Sequence, residues 1–289
     1  MNAYHQLIAE YVRLAQAGKQ CPLGGLPART APAPAPDVPT ALLFSPHPDD
    51  ESITGGLALR LHREAALRIR NVALTLGSNL ARQAERLGEL QQACGYLGFD
   101  LLTTGPRGLE NINCQTRAAN PAAWRDAVRI IAGILTDEQP RVIFLPHERD
   151  WNATHIGTHW LVVDALSTLP PGFTCFTVET EFWGAMDRPN LMVESSPAEV
   201  ADLMAAISFH AGEVRRNPYH LRQPAWMQDN VRRGGELVGG QGGAAPDILF
   251  ATLYRLRQWR SGGWHEVLAE GIVLPSQLSA AELFKPGPT

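Results

Sequence analysis

Short apolar runs alternate with longer amphipathic segments along most of the chain, and this alternation constrains the fold more than any other feature. From residue 41 onward, four helical patterns separate five strand patterns. Strands that alternate with helices of this length form right-handed βαβ units, which build a mostly parallel sheet with helices on both faces. We therefore predict an α/β fold. The predicted strands cover residues 41–45, 69–76, 100–103, 142–146 and 174–180, and the predicted helices cover about 54–64, 80–97, 121–137 and 154–168.

The first 40 residues are interpreted as a separate segment. Leu7, Tyr11 and Leu14 share one face of a helix predicted over residues 1–19. Residues 22–40 are rich in proline, alanine and glycine, a composition that favours an extended linker or surface strap. Because such a segment can pack on a neighbouring subunit as well as on its own domain, the sequence permits a homo-oligomer.

Residues 41–289 are interpreted as one domain with a C-terminal extension from about residue 212. A capping-box sequence predicts a helix that begins at Pro197. Residues 212–247 are rich in glycine, arginine and proline, and we interpret them as a long irregular stretch. A strand over 248–256 and a short helix from about 279 complete the prediction.

Composition excludes several classes of function. The 289 residues carry a net charge of -4 and no basic block, so the electrostatic footprint of nucleic-acid binding is missing. No run of about 18 apolar residues predicts a membrane-spanning helix, and the N-terminus lacks the apolar core of a secretory signal. The four cysteines lack CxxC spacing, which argues against a disulfide framework and a thiolate zinc site. We expect a cytoplasmic protein that acts on a small molecule, without a nucleic-acid or membrane partner.

The first of two polar clusters is the sequence HPDDE at residues 47–51. It follows an apolar run, so it is expected at the carboxyl end of a buried strand, where open α/β sheets bind their ligands. Imidazole and carboxylate groups are metal ligands. Successive side chains on a tight turn diverge, so if His47 and Asp50 converge on a cation, Asp49 is left beside it as a base.

The second polar cluster, at residues 147–159, follows the strand predicted over 142–146. A catalytic zinc site has three protein ligands and an open position, so one more histidine or carboxylate is expected on a second strand end. This cluster supplies several such residues. Two parallel strands would bring both clusters into one crevice.

In its HPDDE sequence the chain resembles the PIG-L/LmbE-like family of zinc-dependent N-deacetylases. Weaker similarities are Thr75-x-Gly77 after the second strand and Arg86-x-x-Glu89 in the second long helix. The resemblance covers about residues 41–207. It implies a Rossmann-like, LmbE-like fold and removal of an acetyl group from an N-acetylated amino sugar or sugar conjugate.

The resemblance also implies roles for individual residues. The family's second motif usually reads Asp-x-His-Pro-Asp-His, and aligned on Asp150 this chain reads DWNATH. Asp49 is then the general base, and Asn152 replaces the usual histidine; an asparagine can donate a hydrogen bond to an oxyanion but cannot deliver a proton. The implied ligands of Zn²⁺, or of another divalent transition metal, are His47, Asp50 and His155.

Three further side chains are predicted substrate contacts. Arg86 suits hydroxyl or phosphate groups, Trp151 suits stacking on a sugar face, and His210 flanks the irregular stretch. Glu51 or Asp150 is expected to orient the metal ligands.

Two histidines of the second cluster remain outside the implied ligand set. His159 follows His155 by four residues, but the segment between them lacks the glutamate of HExxH metalloproteases, so we expect His159 to pack one turn deeper. His147 lies at a strand end, outside the motif.

Two other functions stay open on the sequence. One is a zinc amidase that cleaves a larger amide, such as a thiol conjugate. The other is a catalytically weak sugar-binding homologue, for which Asn152 would be the sign of lost activity.

Overall fold

A computed structural model describes residues 2–28 and 38–284. The strands within these residues are β1 (Thr40–Ser45), β2 (Arg68–Ala73), β3 (Asp100–Thr103), β4 (Val142–Pro146), β5 (Cys175–Thr180), β6 (Leu191–Glu194), β7 (Ala251–Arg260), β8 (Gly263–Glu266) and β9 (Ile272–Leu274). The α-helices are α1 (Ala3–Gly18), α2 (Asp50–Ile53), α3 (Gly56–Glu64), α4 (Gln83–Leu97), α5 (Cys114–Ala119), α6 (Pro121–Glu138), α7 (Ala153–Thr168), α8 (Pro197–Ser208), α9 (Ala211–Arg216) and α10 (Gln223–Leu237). Three short 3₁₀ helices cover Leu80–Arg82, Tyr219–Arg222 and Ala280–Phe284.

The strands form one sheet in the order β3-β2-β1-β4-β5-β7-β6-β9, with β8 paired to β7. The first five strands of this order are parallel, whereas β7 is antiparallel to both β5 and β6. The chain proceeds outward from β1 to β2 and β3, and then returns to β4 on the other side of β1. The boundary between β1 and β4 is therefore the topological switch point, where a crevice opens at the carboxyl ends of the strands.

Helices cover both faces of the sheet, which confirms the predicted α/β architecture. Residue Leu43 of β1 packs in one core with α3, α4 and α8, and Leu42 and Phe44 pack in the other core with α6 and α7. Because both faces of β1 are buried, its sequence is a continuous apolar run instead of an alternating one.

The helix predicted over about 54–64 is present as α3, and Gly55 separates it from the short helix α2 before it. This residue has a φ of 87°, and a Cβ atom there would lie 2.3 Å from Oγ1 of Thr252. Only glycine fits both conditions. The break ends α2 and starts α3, so the HPDDE turn has a short helix of its own.

The prediction of an irregular stretch over 212–247 is wrong. Helices α9 and α10 lie there, and α10 buries Met227 and Val231. Its glycine Gly234 lies where a Cβ atom would be 2.5 Å from the sulfur of Met192, so this glycine permits close packing of a helix on the sheet. Other boundaries shift by a few residues: β2 ends at Ala73, and the last predicted strand begins at Ala251.

The predicted N-terminal helix is confirmed as α1, which buries none of its residues. Much of the predicted strap, residues 29–37, lies outside the described residues. Between residues 2 and 28 and between 38 and 284, every helix is too short or too polar to cross a membrane.

Candidate metal centre

Three potential metal ligands meet at the switch point of the sheet. His47 and Asp50 belong to the turn that joins β1 to α2, and His155 lies in the first turn of α7, directly after β4. Asp50 and His155 are buried, and His47 is partly exposed. The parallel pairing of β1 with β4 thus places residues more than a hundred positions apart at one strand-end edge.

The spacing of their ligand atoms fits a tetrahedral metal ion. Nδ1 of His47 and Nε2 of His155 lie 3.4 and 3.3 Å from Oδ2 of Asp50 and 3.2 Å from each other. Tetrahedral bonds of about 2.0–2.2 Å separate ligand atoms by roughly 3.3–3.6 Å. Three protein ligands leave a fourth position, and a cavity of about 250 Å³ lies against His47, Asp49 and Asp50.

The two buried ligands stabilise each other in charged form. Burial opposes ionisation of Asp50, but the charges and hydrogen bonds of His155 and His47 outweigh it and lower the pKa of this carboxyl. Burial likewise opposes protonation of His155, but Asp50 raises the pKa of its imidazole. The backbone N–H of His47 donates to Oδ2 of Asp50 over 2.8 Å, which fixes this oxygen at the centre.

Asp150 supports the far side of His155. Its Oδ1 lies 3.6 Å from Nδ1 of His155, which is buried without a hydrogen-bond partner in the described part of the chain. The carboxylate also accepts backbone N–H groups of Asn152, Trp183 and Gly184 at 2.9–3.1 Å. It therefore ties the start of α7 to the loop after β5, an arrangement that restricts the orientation of His155.

Asp49 lies beside the ligand triangle in a strained backbone conformation. Its φ of 114° is unusual for a residue with a side chain, and its backbone N–H donates to Glu51 over 2.9 Å. The phenol of Tyr219 donates a hydrogen bond to its carboxylate. Burial, together with the neighbouring charge of Asp50, raises the pKa of Asp49 to about 7.

Glu51 stabilises the HPDDE turn through hydrogen bonds to both oxygens of its carboxylate. Its Oε1 accepts hydrogen bonds from His210 over 2.7 Å and from Ser52 over 2.9 Å, while Oε2 binds the backbone of Asp49. His210 is fully buried in this contact. It therefore has no exposed surface for the predicted substrate contact, and its position instead supports Glu51.

The other predicted site residues occupy different positions. The side chain of Asn152 caps α7 by accepting the N–H of Thr154 over 2.8 Å, and it lines the same cavity as His47. Arg86 also lines this cavity and donates to the carbonyl of Pro48 over 3.0 Å. Trp151 is 79% exposed and is not among the residues that line the cavity.

His147 and His159 bind backbone carbonyls instead of joining the ligand triangle. Nε2 of His147 lies 2.9 Å from the carbonyl of Gly184, and Nδ1 of His159 lies 2.9 Å from that of Pro146. Burial lowers the pKa of His159. This histidine lies one turn deeper in α7 than His155, as the sequence predicts.

Residues 42–166 match the family model described as PIG-L, GlcNAc-PI de-N-acetylase. The matched residues include all three potential metal ligands as well as Asp49, so the match includes both polar clusters predicted from the sequence. No curated protein sequence matches the chain.

Several solved structures share the fold of this chain. One is the 4-carboxy-2-hydroxymuconate hydratase GalB from Pseudomonas putida KT2440, at 19% identity and a TM-score of 0.55, covering 76% of this chain and 96% of that one. Another is the N,N'-diacetylchitobiose deacetylase from Pyrococcus horikoshii, at 15% identity and a TM-score of 0.53, covering 89% and 93%. A third is a zinc-inhibited form of the teicoplanin deacetylase Orf2, at 13% identity and a TM-score of 0.52, covering 76% and 98%.

Part of the cavity wall lies outside the matched residues 42–166. Trp183 follows β5, and Asn217 and Tyr219 follow α9; all three line the cavity at the ligand triangle. Sequence reasoning missed them because two lie in the stretch interpreted as irregular. In the structure His210 and His220 are both buried, so this stretch packs against the rest of the fold.

Proposed function

We propose that this protein is a metal-dependent amide hydrolase that removes an acyl group, in the simplest case acetyl, from an N-acylated amino sugar or sugar conjugate. The observation that carries the proposal is the triangle of His47, Asp50 and His155 with the carboxylate of Asp49 beside it. Three ligands and an adjacent base are the set that hydrolytic metal sites require. The family description and the similar deacetylases support the same reaction class.

The residues divide the reaction between them. A divalent metal ion held by the triangle, with zinc as the predicted species, would polarise the amide carbonyl and lower the pKa of a water molecule. Asp49 accepts a proton from the attacking water and then passes it to the departing amine. Tyr219 holds the Asp49 carboxylate in one orientation for both transfers, because its phenol donates to that carboxylate.

Asn152 bears on the choice of proton donor. Its Oδ1 is engaged by the helix cap, so its amide N–H₂ is the part that can face the cavity. An amide can donate a hydrogen bond to an oxyanion but has no proton to give. The proposal therefore uses Asp49 for both proton transfers.

Because one of the similar structures is a hydratase, the test must distinguish amide hydrolysis from hydration. We propose to incubate the metal-loaded protein with a panel of acetamido sugars, and to measure acetate and free amine in the same samples. Equal amounts of acid and amine indicate amide hydrolysis, whereas a hydratase consumes its substrate and releases no amine. Metal-loaded protein that releases no amine from any amide would contradict the proposal.

A substitution of the base completes the test. Asp49→Asn keeps the shape of the side chain and leaves the three ligands in place. Loss of general-base catalysis lowers kcat by about 10²- to 10⁴-fold. Full activity of this variant with retained metal would show that Asp49 is not the base.

A further inference from the structure

Two additional cavities adjoin the one at the ligand triangle, and together they form a cleft with two arms. The first, which we call the polar arm, has a volume of about 450 Å³ and shares His47 and Arg86 with the central cavity. The second, the aromatic arm, has a volume of about 250 Å³ and shares Trp183, Asn217 and Tyr219 with it. A substrate whose scissile bond lies at the triangle can therefore extend in two directions.

The polar arm is lined mostly by hydrogen-bonding groups. Its walls come from the loop after β2, from α4 and from residues 109–113. These groups suit a hydroxylated ligand, because each hydroxyl needs a partner when it leaves water. The side chains and backbone groups of its polar wall include Thr75, Ser78, Gln83, Asn111, Asn113 and Thr154.

The aromatic arm has the opposite character. Of its polar residues, Asn217 and Arg222 are exposed. Gln223 is buried, and its amide nitrogen donates to the carbonyl of Ser52 over 3.1 Å. Phe182 forms the floor near the ligands, with its ring centroid 4.9 Å from that of His155. The apolar and aromatic lining consists of Ile53, Phe182, Trp183, Ile207, Tyr219 and Trp226.

The aromatic arm is larger than the space that an acetyl group occupies. A volume of 250 Å³ corresponds to roughly eight water molecules at about 30 Å³ each. An acetyl methyl is about as large as one of them, so it would leave most of the apolar wall in contact with water. Apolar surface of this kind, next to a reactive centre, is a binding site for an apolar group.

We propose that the aromatic arm binds the acyl portion of the substrate, and that the preferred substrate is an N-acyl amino sugar with a chain of about four to eight carbons. This inference rests on the proposed amide hydrolysis and specifies its substrate class. The hydroxylated amine portion occupies the polar arm, because that arm is lined mostly by hydrogen-bonding groups. The acyl chain on the other side of the scissile bond then extends past Tyr219 and Trp183.

The test is a comparison of acyl chain lengths on one amine. We propose to measure kcat/KM for N-acetyl-, N-butyryl- and N-hexanoylglucosamine by release of free glucosamine from the metal-loaded protein. Each fully buried methylene contributes about a fourfold increase, and with partial burial we expect at least about tenfold between acetyl and hexanoyl. The phenyl glycoside of N-acetylglucosamine serves as the comparison in which the apolar group is on the amine side.

Two substitutions by glutamate on α10 test whether a preference for longer acyl chains depends on the aromatic arm. Trp226→Glu introduces a charge into its apolar wall, and the ratio of hexanoyl to acetyl kcat/KM is expected to fall toward one. Leu237→Glu introduces the same charge on the same helix at a position that is 41% exposed and does not line the arm, so the ratio is expected to stay as in the wild type. If Trp226→Glu fails to fold, the wild-type series alone decides.

The outcomes separate this inference from the proposed function. Hydrolysis of the acetyl compound without a gain for longer chains would overturn the acyl assignment and leave amide hydrolysis intact. A gain for the phenyl glycoside alone would overturn it as well, because the aromatic arm would then bind the amine side. Failure of the metal-loaded protein to release amine from any of these amides would instead count against the proposed function itself.

Discussion

Replacing Tyr219 with phenylalanine removes one hydroxyl group from the wall of the cavity and leaves the ring in place. That hydroxyl donates to the carboxylate of Asp49, which is 7% exposed. A hydrogen bond to a charged group contributes about 1.5–3 kcal/mol, and this range corresponds to roughly a 10- to 150-fold change in an equilibrium or rate. Because the carboxylate would be less firmly oriented for proton transfer, we expect kcat to fall by that factor.

The assay is steady-state kinetics on whichever amide the protein hydrolyses, with metal content measured in the same preparations. We expect KM to change much less than kcat, because the lost interaction orients the base and not the ground-state substrate. Metal content is expected to stay unchanged, because Tyr219 contacts none of the three ligands through its hydroxyl.

Tyr96→Phe is the matched control. Its hydroxyl donates to the carboxylate of Asp202 over 3.0 Å, so the same chemical group is lost from a tyrosine that lies away from the cavity. This variant is expected to lose stability without losing kcat. A Tyr219→Phe enzyme whose kcat stays within about twofold of the wild type would refute the positioning role, since such a change is below about 0.5 kcal/mol.

Three other predictions concern the metal centre and the turn that carries it. Zinc at 100 times its dissociation constant should stabilise the fold by about 2.7 kcal/mol and raise Tm by roughly 5 °C in a thermal melt, and Asp50→Asn should abolish this rise. Asp150→Asn should weaken metal affinity by about 10- to 100-fold in a competition titration with a chelator, because its carboxylate supports His155; unchanged affinity would contradict that support. Gly55→Ala should lower the unfolding free energy, measured in urea, by more than about 2 kcal/mol, because the new methyl group would overlap neighbouring atoms at a residue with positive φ. Gly25→Ala is the control: Gly25 has a φ of 72° but open space around it, so the cost should be about 1 kcal/mol.

The fold was largely predictable because the parallel strands are buried on both faces. Apolar runs such as residues 41–45 and 142–146 predict such strands directly, and the helices between them follow from periodicity. The antiparallel strand β7 and its neighbour β6 were harder to place. Helix α10 packs on both strands at Gly234, and single glycines in a sequence indicate turns more often than close helix packing.

The ligand triangle was predictable for a similar reason. His47, Asp50 and His155 follow two strands that are neighbours at the switch point, so strand order alone brings them together. The role of Tyr219 was hidden, because its approach to Asp49 depends on the path of the chain after α9. His210 was predicted to contact the substrate because the sequence does not show that it is buried. Burial of a single histidine produces no periodic pattern in a sequence.

The metal content of the purified protein tests the proposed metal centre most directly. Wild type and Asp50→Asn would be equilibrated with zinc, desalted and measured by elemental analysis against protein concentration. We expect one zinc ion per wild-type chain and almost none in the variant, because Oδ2 of Asp50 lies within 3.4 Å of both histidine nitrogens. Equal zinc content in the two proteins, or none in the wild type, would contradict the assignment of His47, Asp50 and His155 as the metal centre.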